Sequence, residues 1–560
     1  MRRHHPHSGS KEGILTAGFR HNPTFKIIRG GICLKLKEKY NIPLFLAAFA
    51  LVVFFVILLL LFPTQMNNGI SAAFNWCTSA AGTPVQLMNL SLIILSLYIA
   101  FSKYGNVKLG KGKPKYSTFS WLGMIFTSGL GAATMYWGIV EWTFLYNANP
   151  LVTSGGVVSD VARYEWAFAY HWHHWSPFVQ LIYTACGVAC GYLYYNRKKT
   201  TTLSLGETMS YDFKVKKPKV MSSIVDVVFI FSVISSAAIT VGLGLPAIGQ
   251  AAGYVFNFTP GQNFYYILIL SIALVYFITS YIGLDKGMKN ISNWCRYGVI
   301  ALGAYVLIVG PTRFILDSYL SGVCMTLNNL PRMLLWLDPI GESCFPQWWT
   351  VWDWLYSASF GPFTGLFLAR ISEGRSLRSI TIGVATGTPL GLFCYNGIMS
   401  NYGIWLDKNG IVDLTGMTAN GQSYEAIVEV FKTLPMPKVV ALVFCVVGAL
   451  FLATTLDSST FTAANIIEKN RPEGVDPSPV HRLCWSILCT VIPLVCLLIN
   501  VDLNVFKSLG IVVALPILLV EVFLLWYVAK QLREDYGMMT EVEIKKLFAD
   551  EPVAEAAKKN

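Results

Sequence analysis

The sequence is poor in charge. Only 13% of its 560 residues are Asp, Glu, Lys or Arg, against 54% hydrophobic, whereas a soluble domain carries about a quarter of its residues as charges. A chain of this length would need several hydrated domain surfaces to be soluble. Its mean hydropathy of +0.51 suits a lipid-facing surface instead. Paired cysteines are missing as well. The 12 Cys stand mostly alone inside apolar runs, as at Cys186, Cys190, Cys394, Cys445, Cys489 and Cys496, with no CxxC pair and no His/Cys metal spacing. Buried thiols follow, rather than a disulfide framework or a metal centre. No small-residue cleavage site follows the first apolar stretch, so residues 42–62 read as a helix that stays in the membrane.

What is present is a succession of apolar runs of spanning length, near 42–62, 86–102, 117–146, 166–194, 222–250, 263–284, 297–320, 349–369, 379–406, 437–466, 483–501 and 505–528. Twelve spans put both termini on one side. The N-terminal 41 residues, alternate loops and the tail from 529 hold all but seven of the 43 basic residues. Basic loops stay cytoplasmic, so both ends are expected inside an inner membrane. That spread also argues against a nucleic-acid partner, which would gather the charge on one face. The segment from Tyr536 mixes both signs and reads as a short, solvated surface helix.

Two spans carry small residues and helix breakers at their centres. The third contains Thr127-Ser-Gly-Leu-Gly-Ala-Ala-Thr134, and the eighth contains Tyr356-Ser-Ala-Ser-Phe-Gly-Pro-Phe-Thr-Gly365. Unwound backbone inside a membrane is tolerated only within protein or beside a watery cavity. Broken helices at corresponding places in two repeats point to a transporter's central site. Spans three and eight would open two five-helix units of opposite orientation. Aromatic residues gather on the eighth. Trp349, Trp352, Tyr356 and Phe360 recur at offsets of three, four and four, which puts them on one helical face. Such π faces attract a methylated ammonium, which cannot donate hydrogen bonds. Span four holds Tyr170-His-Trp-His-His-Trp-Ser-Pro-Phe178. Adjacent histidines do not share a helix face, so this is a poor metal site.

The stretch Gly129-Leu-Gly-Ala-Ala-Thr-Met-Tyr-Trp-Gly-Ile-Val-Glu141 resembles the glycine-rich motif of the betaine/carnitine/choline transporter family. Leu284-Asp-Lys-Gly-Met-Lys289 and Phe367-Leu-Ala-Arg-Ile-Ser-Glu-Gly-Arg375 match it too. The segment from Leu330 to Thr350 is most similar to the carnitine/γ-butyrobetaine exchanger branch. The resemblance covers about residues 40 to 530 and implies an all-α membrane protein. It would comprise a tail (1–41), two peripheral helices (42–116), two inverted repeats (117–320 and 349–528) joined by an extracytoplasmic connection (321–348), and a tail (529–560). It also implies alternating access, a homotrimer in lipid, and a substituted-ammonium cargo such as betaine, carnitine or choline.

The same resemblance offers Trp172, Trp175 and Phe144 as further pocket aromatics, with Tyr136 beside them. The chain departs from the family's tryptophan box, having Tyr356, Ser357 and Phe360 there and Asp353 where an aromatic is usual. Asp353 has two readings, a carboxylate facing the substrate or one facing the exterior near a helix start. For a coupling sodium ion, the resemblance points to Thr454 and Thr455 with carbonyls of Phe451, Thr127 and Leu130. The alternative is ordinary threonine back-bonding. Arg296 stands beside the position, Cys295 here, where sodium-independent exchangers keep a fixed arginine, so symport and exchange both remain open. No nucleophile–base pair or ligand set for an enzyme appears, and no cofactor is expected apart from that sodium.

Overall fold

The computed structural model describes residues 38–129, 131–148, 158–200, 202–214, 216–282, 287, 289–469, 475–498 and 503–549. The described residues are helical, with isolated β-bridges only at Tyr40–Glu468 and Lys108–Ser376. The first helices are α1 (Ile42–Leu61), α2 (Pro63–Asn75), α3 (Gly82–Phe101), α4 (Thr118–Gly129), α5 (Gly131–Asn147), α6 (Asp160–His174) and α7 (Ile182–Gly191). Next come α8 (Pro218–Phe256), α9 (Gln262–Ile282), α10 (Lys289–Val309), α11 (Thr312–Asn328), α12 (Trp352–Ile371), α13 (Leu377–Leu392) and α14 (Ile398–Lys408). The chain closes with α15 (Ser423–Lys432), α16 (Pro437–Ile467), α17 (Pro479–Leu498), α18 (Leu503–Tyr536) and α19 (Glu541–Leu547).

Among these residues, eight helical stretches are long and apolar enough to cross a membrane. They are α1, α3, Asp160–Arg197, α8, α9, Asn290–Val309, α16 and Gly510–Tyr536. Four of the twelve expected spans fall outside that set: the α4–α5 segment, α12, the α13–α14 segment and α17. All are helical, but each is divided, short or interrupted by Gly, Ser and Thr, so apolarity alone does not mark it. Burial explains the difference. Helix α1 is apolar all round and buries only Leu44, Ala48, Val52 and Leu59 along one seam, as a helix bathed in lipid should. By contrast, every residue of α12 except Arg370 is buried, and it packs on α7 and α18. Helices enclosed by protein can carry polar side chains that lipid would not tolerate.

Three spans differ from their expected form. The run at 297–320 is not one helix: α10 ends at Val309 and α11 starts at Thr312, because Pro311 has no N–H to continue the ladder. Helix α11 therefore crosses the expected boundary at 320. The fourth span is divided near Ser176-Pro177 for the same reason. The eighth does not unwind between Tyr356 and Gly365. Helix α12 continues through Pro362, and a wide π turn at Gln347–Val351 precedes it. Near the proline, the carbonyl of Ser359 accepts from the hydroxyls of Ser236 at 3.0 Å and Ser232 at 3.4 Å, both from α8. These hydroxyls from α8 hold the turn that precedes the proline, whose missing N–H leaves the carbonyl of Ala358 without its helical donor. Of the expected break at 127–134 in span three, residues 127–129 close α4, residues 131–134 open α5, and residue 130 lies outside the described residues.

The C-terminal segment is docked rather than solvated. A capping box of Thr540 and Glu543 starts α19, and Ile544 is fully buried. Lys103 donates to the carbonyls of Gly537 and Met539 at 2.7 and 2.8 Å. Arg197 forks onto Asp535 at 2.7 Å through Nε and Nη2. Composition showed mixed charge here but not that the segment had partners in the turns that follow α3 and α7.

Candidate functional site: an aromatic cavity between α5 and α12

Two helices build an aromatic wall. Helix α5 supplies Trp137 and Phe144, seven residues and so two turns apart, with rings 6.0 Å apart. The π turn before α12 supplies Trp349, and α12 supplies Trp352, Tyr356 and Phe360. Trp137 meets Trp352 edge-on at 5.8 Å and Trp349 at 6.5 Å. Phe144 lies 5.8 Å from Trp349. Along α12, Trp352 stacks on Tyr356 at 5.1 Å, and Tyr356 meets Phe360 at 5.0 Å. The shared face expected for these four residues is present. A cavity of about 360 Å³ opens on this wall, within the range of small-molecule sites.

The cavity is lined by Trp137, Phe144, Trp349, Trp352 and exposed Trp348, and also by Ser71, Phe74 and Asn75 of α2. The α2 residues were missed at the sequence level. Their segment is too mixed in polarity to read as a span, and only the turn at Phe62-Pro63 brings it back over the cavity. Tyr136 packs on Trp137 at 4.9 Å and on Tyr424 at 5.0 Å, and donates to Ser423 Oγ at 2.9 Å. It ties the wall to α15.

The other aromatic candidates have different partners. Trp172 lies flat on Phe393 at 5.2 Å with 9° between planes. Trp175 donates through Nε1 to Glu141 Oε2 at 2.5 Å. Glu141 also contacts His171 Nδ1 at 2.9 Å and His174 Nδ1 at 2.8 Å, so two of the three histidines of span four serve a carboxylate. Asp353 is only 3% exposed, which removes the exterior-facing reading. It sits beside Trp352, within electrostatic reach of Glu141 and Tyr183.

The expected sodium ligands are only partly visible. Leu130 and the side chain of Thr127 lie outside the described residues. Phe451 meets Phe126 of α4 at 6.1 Å, so α16 does approach that segment. Thr454 donates to its own helix at Phe451 O, 2.9 Å away, while the fully buried Thr455 hydroxyl has no partner among the described residues. Arg296 is 7% exposed and donates to Phe119 O and Asn293 Oδ1, each at 3.2 Å. Its guanidinium fills the notch left by Gly123, where a Cβ would meet Nη1 at 1.9 Å. Cys295 lies against Thr454.

A family model described as BCCT, betaine/carnitine/choline family transporter, matches residues 43–537. The chain belongs to this family. Similarity extends to a carnitine transporter of Acinetobacter baumannii, 31% identical over 82% of this chain and 83% of that protein. The uncharacterized transporter YeaV of Escherichia coli K12 is 30% identical over 82% of this chain and 95% of its own length. An ectoine/hydroxyectoine transporter of Virgibacillus pantothenticus is 26% identical, covering 86% and 94%. This BCCT protein is thus a membrane-embedded transporter of a small organic solute, not an enzyme.

Proposed function

We propose that this BCCT protein carries a substituted-ammonium solute of the betaine, carnitine or choline type by alternating access. The observation that carries the reading is the wall of Trp137, Phe144, Trp349 and Trp352 around one cavity, with Tyr356 stacked on Trp352. Each ring face offers a weakly hydrated cation about 0.5–2 kcal/mol. Buried Asp353, next to Trp352 in the chain, adds a carboxyl group beside that wall for a cationic head group to engage. In this reading the twelve spans form two inverted repeats after two peripheral helices, in a cytoplasmic membrane with both ends inside. Family resemblance supports a homotrimer.

A second coupling scheme has its own observation. Arg296 occupies the Gly123 notch close to where a sodium ion would balance charge, which favours sodium-independent exchange of precursor for product over symport. Counterflow in proteoliposomes, with labelled betaine, carnitine, choline and trimethylamine, tests both. Transport of at least one methylated ammonium is expected. Counterflow in the complete absence of sodium would exclude obligatory symport, and no counterflow of any of the four would overturn the proposed cargo.

A further inference from the structure

Behind the aromatic wall lies a second constellation that solute binding does not use. On α5, Trp137, Glu141 and Phe144 stand at offsets of four and three, one face of the helix. Glu141 is 2% exposed, yet receives three donors: His171 Nδ1, His174 Nδ1 and Trp175 Nε1. His171 and His174 are themselves 2% and 1% exposed. His171 Nε2 stands 3.0 Å from Ser400 Oγ, and Ser400 Oγ is 2.9 Å from the carbonyl of Gly138. His174 Nε2, although buried, has no partner among the described residues.

Counting hydrogens gives this cluster two states. A hydroxyl has a single proton to donate. If Ser400 gives it to Gly138 O, it accepts from His171 Nε2–H, and His171, which also donates to Glu141, is an imidazolium. If His171 is neutral, its Nε2 is a lone pair and the Ser400 hydroxyl turns to it. Both states leave His171 Nε2 and the Ser400 hydroxyl paired, and they differ by one proton. Charge selects between occupancies. Glu141 with two neutral imidazoles is a buried net anion, Glu141 with two imidazoliums a buried net cation, and either is costly to hold away from water. One imidazolium makes the cluster neutral. That proton belongs on His171, because at His174 Nε2 it would be a buried donor with no acceptor.

We propose that Glu141, His171, His174 and Ser400 form a proton-binding site, with His171 as the carrier, set beneath the wall of the solute cavity. Adding the proton at His171 Nε2 moves the Ser400 hydroxyl bond onto Gly138 O. The backbone of α5 beside Trp137 thus feels the change. Other titratable groups stand nearby. Helix α6 adds His173, 6.0 Å from His174 and edge-on to Trp354 at 6.4 Å, and Tyr170, 6.2 Å from His174; α12 adds Asp353 and Tyr356, both within electrostatic reach of Glu141. Helix α14 adds only the Ser400 hydroxyl among its bonds to the cluster. Glu425 of α15 is engaged by Gln250 of α8. No Lys or Arg is paired with Glu141 among the described residues. The link to transport rests on the solute-carrier reading above; proton binding itself does not.

Two measurements on the full-length protein separate those claims. The first is a fluorescence titration in detergent, since Trp175 donates directly to Glu141. An emission change over about pH 5–8, where imidazoles exchange protons, is expected in the wild type and should be abolished in H171Q. The second is solute counterflow at matched internal and external pH. Its rate should change at least about threefold across the same range in the wild type, and that dependence should flatten in H171Q. If H171Q does not fold, Ser400→Ala, which removes the relay hydroxyl, should displace both profiles. A titration that H171Q and S400A leave like the wild type overturns the proton site. A titration that responds while counterflow stays pH-independent overturns the link to transport. Absence of all counterflow would sink the carrier reading and leave the titration to decide the site.

Discussion

Trp352 lies nearly parallel to Tyr356, with 19° between the ring planes and 5.1 Å between centroids. Residues four apart on a helix overlie one another, so each ring holds the other's orientation toward the cavity. Trp352→Ala should remove one π face and the support of the second. At about 0.5–2 kcal/mol per ring, affinity for a methylated ammonium should fall about 2- to 30-fold. Trp352→Phe should retain part of it. Titration of purified protein with the solute found in counterflow measures this. Equal affinity in Trp352→Ala would remove the wall from the binding site.

Asp353 gives a test of charge. Its burial next to Trp352 means that the isosteric change Asp353→Asn alters charge with little change in packing. A cation without a carboxylate, such as choline, should lose more affinity than zwitterionic betaine, because the zwitterion brings its own negative group. The readout is the ratio of the two affinities in each protein. An unchanged ratio and unchanged uptake would end the idea that Asp353 faces the solute.

The aromatic face of α12 was legible because it depends only on helical period, and Trp349, Trp352, Tyr356 and Phe360 need no partner to be aligned. Phe144 required the family resemblance, since nothing local distinguishes it from Phe178. The partner of Trp175 and His174 was not legible. Their roles depend on Glu141, thirty-three or thirty-four residues earlier in the chain, and no periodicity reveals a contact across helices. The expected unwinding at Pro362 failed similarly. Ser232 and Ser236, more than a hundred residues earlier, hold the turn before it through the Ser359 carbonyl.

The C-terminal end of α16 carries a pH-dependent clasp. Burial pushes Glu468 upward, but His481, the Ser478 N–H and Lys39 outweigh it and hold the carboxyl down to about 2. Ser478 N donates at 2.8 Å, and Lys39 Nζ stands at 3.4 Å. A carboxyl lowered in the folded state contributes stability above its unfolded value near 4.5, and loses it as pH falls toward 2. Glu468→Gln should therefore melt earlier than the wild type by a constant margin between about pH 6 and 8. The margin should narrow as pH drops below about 4.5. Thermal unfolding in detergent across that series reads it, and a margin independent of pH would place the effect in packing instead.

The approach of α7 to α12 offers a purely steric prediction. A Cβ at Gly365 would lie 2.7 Å from Cys186 Cβ and 2.8 Å from Gly187 N, and one at Gly187 would lie 2.8 Å from Gly365 O. Backbone stands against backbone there, so no side chain can swing aside to make room. Gly365→Ala should cost about 1–3 kcal/mol from overpacking, lowering the melting temperature and pushing α12 away from α7. Gly69 is the control. It lies in α2 with nothing within 4 Å of its would-be Cβ, so Gly69→Ala should be neutral or stabilising by up to about 1 kcal/mol through helix propensity. Since α12 carries Trp352 and Tyr356, Gly365→Ala should also weaken solute binding without touching the cavity. A Gly365→Ala protein that melts and binds like the wild type would show that the two helices are not packed this closely.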